Sequence, residues 1–113
     1  IESFRSTFED ALTSDILVHV VDLSAKDCLM KKKVAESTVN EMGGGHIPVV
    51  LCFNKCDLVS GQTLSQYRLS WPDAVFISAV KGEGIGNLRD AVLKGLGLKQ
   101  EDSIPDEFPG SET

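Results

Sequence analysis

Apolar and polar positions along this chain follow two different periods. Ile1, Phe4, Phe8 and Leu12 recur at helical spacing with Glu2, Arg5, Glu9 and Asp10 between them, which predicts an amphipathic helix ending near Thr13, Ser14 and Asp15. Ile16 to Val21 is instead a nearly continuous apolar, β-branched run, the pattern of a strand buried on both faces and hence of a parallel sheet. Ser24 and Asp27 have capping-box spacing and open a helix predicted to run to about Met42, with Leu29, Met30, Val34, Val39 and Met42 facing inward. Gly43, Gly44 and Gly45 can supply the positive φ that stops it, and Pro48 introduces a second strand, Val49 to Phe53.

Strand, helix, strand is a βαβ unit, whose crossover is expected to be right-handed. A polar turn from Asn54 to Gly61 follows, then a short helix from about Thr63 to Leu69 that Trp71, Pro72 and Asp73 terminate. Ala74 to Ile77 is a third strand, Ser78 to Gly84 a loop, and Ile85, Leu88, Val92 and Leu96 mark a last helix that Gly97 ends. The pattern therefore predicts an α/β fold with three parallel strands flanked by helices. It divides the chain into a folded unit, residues 1–100, and an acidic tail or linker, residues 101–113, with Pro105, Pro109 and Gly110.

Composition narrows the class of protein. With 42% hydrophobic and 25% charged residues the chain is an ordinary globular one, and no apolar run approaches the roughly 20 residues of a membrane span. The net charge of −6 is concentrated in Glu101, Asp102, Asp106, Glu107 and Glu112, so the body is nearly neutral and its charge neither favours nor excludes RNA. Cys28, Cys52 and Cys56 form no even set and no C-x-x-C pair, as expected in a reducing cytosol. The chain opens on Ile1 rather than Met, inside a helical pattern, which predicts that further residues precede it.

In open parallel sheets ligands bind beyond the carboxyl ends of the strands. Two loops leave strands at that rim: Asn54, Lys55, Cys56 and Asp57 after Phe53, and Ser78, Ala79 and Val80 after Ile77. Guanine offers paired N–H donors at N1 and its 2-amino group, which an ionised Asp57 can accept together, whereas adenine leaves such a carboxylate desolvated and unpaired. Asn54 carries an amide that can reach N7 or tie the two loops together, the Lys55 stem can lie over the purine face, and the Ala79 N–H can donate to O6.

Asn-Lys-x-Asp after one strand and Ser-Ala after the next resemble the paired base-recognition motifs of translation-factor-like GTPases. More narrowly, Glu2 to Thr7, Val18 to Asp22, and Phe76 to Ala79 followed by Gly82 and Gly84 resemble the HflX family over about Ile1 to Leu98. The resemblance implies that this is the C-terminal half of a P-loop GTPase domain of Rossmann-like, three-layer form. It assigns guanine contacts to Asn54, Lys55, Asp57, Ser78, Ala79 and Val80, with GTP or GDP as ligand. Full-length relatives hydrolyse GTP with Mg²⁺ and associate with the large ribosomal subunit, so a cytoplasmic protein is implied. The family pattern has Lys directly after Ser-Ala; here Val80 stands there and Lys81 follows.

Asn-Lys-x-Asp alone arises by chance in roughly one chain in a hundred of this length, so the weight falls on its position after a strand and on its second partner motif. Within the 113 residues there is no G-x-x-x-x-G-K-[ST] loop and no Asp-x-x-Gly, so nothing here cradles phosphates or performs phosphoryl transfer, and no catalytic or metal-binding residue is assigned. Cys52, Cys56, Asp57 and His46 fit no common zinc spacing. His19 is expected to be a hydrogen-bonded core histidine, and Asp22 to serve a cap or turn. Lys31, Lys32 and Lys33 suggest a solvated helix face, or, in a rival account, the contact surface of a non-catalytic protein- or RNA-binding module derived from a G domain. The resemblance implies that the first strand lies beside the strand preceding the phosphate loop, and the unpaired edge left without that neighbour predicts self-association of the piece in isolation.

Overall fold

The computed structural model describes residues 9–98. The first predicted helix is seen as its last turn, residues 9–11; its remainder and the acidic tail lie outside the described residues. Three strands follow in one parallel sheet of order β1, β2, β3: β1 is Leu17–Asp22, β2 is Val49–Asn54 and β3 is Val75–Phe76. Helix α1, Cys28–Glu41, joins β1 to β2, α2, Gly61–Ser70, joins β2 to β3, and α3, Ile85–Gly95, follows β3.

The sheet is covered on both faces. On one, Val21, Leu23, Phe53 and Phe76 pack with Cys28 of α1 and with Leu64 and Tyr67 of α2; on the other, Val50, Cys52, Val75 and Ile77 pack with Leu88, Ala91 and Val92 of α3. Three parallel strands between two helical layers make this an α/β three-layer unit, the arrangement of part of a P-loop GTPase fold. Phe53 is fully buried and anchors the first face, stacked on Phe76 at 5.1 Å and edge-on to Tyr67 at 5.4 Å between ring centres. That cluster holds the end of β2 where Asn54 emerges.

Helix α1 covers only part of the inward face its sequence suggests. Cys28 is buried and Ala35, Val39 and Met42 are partly covered, whereas Leu29, Met30 and Val34 are exposed. The helix begins three residues later than the Ser24 signal implies, because the Ser24 hydroxyl is committed to Asp22 and Asp27 caps without a side-chain hydrogen bond. Its end follows the glycines: Gly43 takes φ 90, and the N–H groups of Gly43 and Gly44 return to Asn40 O and Val39 O at 3.1 and 2.8 Å. Helix α2 starts before the expected Thr63, capped by Ser60, whose Oγ accepts the Thr63 N–H at 3.1 Å.

Strand β1 also differs from expectation. It alternates, with Val21 buried but Val18 and Val20 exposed at 40% and 56%, because α3 covers β2 and β3 and no described element covers β1 on that face. His19 is half-buried rather than in the core; it lines a hollow of about 470 Å³ with Ala35, Glu36 and Val39 of α1. Burial holds its imidazole below the ordinary histidine pKa, with Glu36 opposing that shift.

Candidate nucleotide-base site

The parallel register sets the level of the rim. Asp22 lies opposite Asn54 at the ends of β1 and β2, and the Leu23 N–H donates to Asn54 O at 3.0 Å, extending the ladder by one step. Phe53 pairs with Phe76, and the Ile77 N–H continues to Phe53 O at 2.8 Å, which carries β3 to the same level just before Ser78. The two candidate loops thus leave adjacent strands side by side.

Two hydrogen bonds fasten the loops together. The Ala79 N–H donates to the Asn54 Oδ1 at 3.0 Å, and the Cys56 N–H donates to Ile77 O at 3.1 Å. Asn54 Oδ1 also accepts the Lys55 N–H at 2.7 Å, steadying a residue that lies in the left-handed region at φ 65. Of the two roles available to the Asn54 amide, tying the loops is the one its oxygen performs, and its Nδ2 is the end left to face a ligand. The Ala79 N–H meets an incoming acceptor only by sharing or exchanging its bond to Asn54.

After Lys55 the chain makes a single 3₁₀ turn, Cys56–Leu58, that presents Asp57 at the surface. Among the described residues Asp57 enters no ion pair, so its two oxygens remain acceptors without a bound cation. It borders a hollow of about 330 Å³ shared with Arg68 of α2, Ser78, Glu83 and Asn87 of α3. Asp57 and Ser78 therefore meet at one concavity. Asn54 and Ala79 meet each other, and Lys55 is drawn toward β1, its Nζ 3.2 Å from Asp22 Oδ2.

The second loop is shaped from inside. Ser78 is 1% exposed, exchanges backbone hydrogen bonds with Glu83 at 3.0 Å in each direction, and accepts the Lys81 N–H on its Oγ at 3.3 Å. Its role is to bend the loop rather than to touch a ligand by its side chain. Gly84 closes that loop at φ 78, and a Cβ there would press on the Phe76 carbonyl oxygen. Ala79 and Val80 stand exposed at the rim, Val80 at 90%.

Asp22 serves the turn expected of it and in addition reaches Lys55. Its Oδ1 accepts both the N–H and the hydroxyl of Ser24, at 2.9 and 2.6 Å, and its Oδ2 holds the Lys55 ammonium. The Ser24 hydroxyl holds its carboxyl below the usual carboxylate range, and Lys55 adds to the effect. The Asp22 to Asn54 pairing was the available signal, and it depends on a register that period alone leaves open. Among the described residues no cluster of three metal-ligating side chains occurs, and burial pushes the Cys52 and Cys56 thiols up, away from the thiolate a metal takes.

Known proteins resemble most or all of the chain. The GTPase HflX of Caldanaerobacter subterraneus is 29% identical over 113 residues, all of this chain, and that of Lacrimispora saccharolytica is 36% identical over 97 residues, 83% of it. The chain is an HflX relative. The human Putative GTP-binding protein 6 is 36% identical over 107 residues, 86% of the chain. This HflX-like chain spans about a quarter of the length of the curated relatives it matches: 25% of the Caldanaerobacter protein, 23% of the Lacrimispora one and 19% of the human one. No family model matches it.

Proposed function

We propose that this chain is the base-recognition half of a guanine-nucleotide-binding domain, with residues 1–100 forming the C-terminal half of that domain. One observation carries the proposal: the Asn54 to Ala79 hydrogen bond joins the two rim loops while the Asp57 carboxylate stays exposed and, among the described residues, outside any ion pair. In this account Asp57 accepts the N1 and 2-amino hydrogens of guanine as a charge-assisted pair. Asn54 donates from Nδ2 toward N7, the Lys55 stem covers the ring, and the Ala79 N–H is shared with O6. Ser78 holds the loop in shape and Val80 borders the rim. GTP and GDP are the ligands, and the names of the relatives as GTPases support that class.

Phosphate binding, Mg²⁺ and hydrolysis belong to segments other than these residues, since the 113 residues contain no phosphate-cradling sequence. The parent is a cytoplasmic GTP hydrolase acting at the large ribosomal subunit. For the piece alone, binding of GDP is on the order of millimolar or weaker, because half a pocket must offset the whole cost of immobilising the ligand. Among the described residues no helix is long and apolar enough to cross a membrane.

The RNA-binding alternative rests on the lysines of α1, and those are partly engaged. Lys31 pairs with Asp27 at 3.6 Å, and Lys32 pairs with Glu36 at 2.8 Å and lies over the Trp71 ring at 5.5 Å. The deciding experiment is Asp57→Asn in the full-length protein, titrated with guanine and xanthine nucleotides. Asn presents a donor where the carboxylate presented acceptors, so the preference is expected to reverse toward xanthine. An unchanged guanine preference removes Asp57 from the site and the proposal with it.

A further inference from the structure

We infer that Asp22 is a positioning residue for purine binding: it tethers the Lys55 ammonium and so pre-orders the lysine stem as the platform on which a purine ring lies. The inference rests on the guanine-recognition proposal and adds to it a residue outside both rim loops.

The geometry is that of a side chain held at two ends. Lys55 Cα sits in a left-handed turn whose N–H is bonded to Asn54 Oδ1 at 2.7 Å. Its Nζ lies 3.2 Å from Asp22 Oδ2. Asp22 is itself immobilised, since its register partner is Asn54 and its Oδ1 takes two hydrogen bonds from Ser24. That division leaves Oδ2 as the oxygen available to a cation. A lysine stem free in solvent loses rotamer freedom when a ring lies against it; one already stretched between a fixed turn and a fixed carboxylate has lost that freedom beforehand, so less is lost on binding.

Methylene groups against a ring face do not read the edge of the base. Asp22 is therefore expected to govern affinity for purine nucleotides in general, whereas Asp57 governs which purine is preferred. This separates the tether from a role in recognition of the guanine edge, and its dependence on Lys55 separates it from simple support of the β1 end.

The test is titration of the full-length protein with GDP and with IDP, which lacks the 2-amino group, for Asp22→Asn, Asp22→Glu, Lys55→Met and the Asp22→Asn, Lys55→Met double variant. Asp22→Asn keeps an acceptor for Ser24 but loses the charge. It is expected to weaken GDP and IDP by the same factor, roughly two- to fivefold for a pair this exposed, with Asp22→Glu restoring part of the loss. In the Lys55→Met background the Asp22 change is expected to have no further effect. Additive losses, unchanged affinity, or a shifted ratio of GDP to IDP overturn the inference. Melting curves accompany each variant; if Asp22→Asn unfolds early, Lys55→Met, which keeps the stem and drops the ammonium, must show the same weakening for both nucleotides or the inference fails. Failure of the unaltered protein to bind either nucleotide defeats the underlying guanine proposal, whereas normal binding with the Asp57→Asn reversal intact and no Asp22 effect defeats the tether alone.

Discussion

The Asn54 side-chain oxygen accepts the backbone N–H of Ala79, 25 positions further along the chain, at 3.0 Å, and the N–H of its own neighbour Lys55 at 2.7 Å. One carboxamide thereby fastens the loop after β2 to the loop after β3 and fixes the turn that follows it. Asn54→Ala leaves both donors to water and is expected to cost about 1–2 kcal/mol, read as a lower urea midpoint, with faster hydrogen exchange at the Ala79 amide. Asn54→Asp retains the acceptor and is expected to cost less. Equal losses for the two substitutions would show that the bond to Ala79 is not what steadies the loops.

Lys55 separates stability from binding. At φ 65 a residue with a Cβ is disfavoured by roughly 1 kcal/mol, so Lys55→Gly is expected to leave stability unchanged or raise it by up to about that amount. Nucleotide affinity is expected to fall in the same variant, because the stem is gone. A urea midpoint that drops with affinity would instead place Lys55 in the support of the fold.

Gly84 and Gly86 form a contrast within three residues. Alanine at position 84 combines φ 78 with a Cβ pressed against the Phe76 carbonyl oxygen and 3.2 Å from Ile77 Cα, all backbone that cannot give way. A loss of about 3 kcal/mol or more is expected. At Gly86, inside α3 with open space around it, alanine is expected to be neutral or stabilising by about 0.5–1 kcal/mol. Thermal melting of the two variants distinguishes the cases.

Acid is expected to weaken the fold in two stages. His19 is held below its ordinary pKa by burial, so the unfolded chain takes up its proton first. Its contribution is complete above about pH 6.5 and is lost as pH falls from there toward the folded-state value. Asp22, held low by Ser24 and Lys55, contributes above the ordinary aspartate pKa and loses that contribution at lower pH still. His19→Gln is expected to flatten the first stage while leaving the second, measured as urea midpoints against pH; a first stage that persists in the variant assigns it to another group.

The β1 edge predicts behaviour in solution. Among the described residues β1 pairs only with β2, and Val18 and Val20 are exposed on the face that α3 leaves open. The isolated chain is expected to self-associate, and Val20→Lys to shift it toward monomer in sedimentation. A monodisperse monomer before any substitution contradicts this.

Much of the architecture was legible in local pattern. The apolar runs at Ile16 to Val21 and Val49 to Phe53, the glycines at 43–45 and the polar turn at Asn54 each identify an element or its end, because strand period, helix termination and turn chemistry are properties of neighbouring residues. The pairing of Asn54, Lys55 and Asp57 with Ser78 and Ala79 was legible for the same reason: each motif follows a strand, and strand ends in a parallel sheet share a rim.

Local pattern misjudged what depends on neighbours distant in sequence. Leu29, Met30 and Val34 look like a core stripe, yet α1 rotates to bury Cys28 against Phe53 and Tyr67 instead. Val18 and Val20 look buried on both faces until α3 is found over β2 and β3 alone. By itself the sequence determined the order and type of the elements and the two loops bearing the guanine-compatible side chains, since these follow from short-range periodicity and turn preference. Only the tertiary structure decided that Asn54 spends its oxygen on Ala79 and that Asp22 reaches Lys55, because both depend on the register of parallel strands, which is set by packing across the sheet rather than by any residue's immediate neighbours.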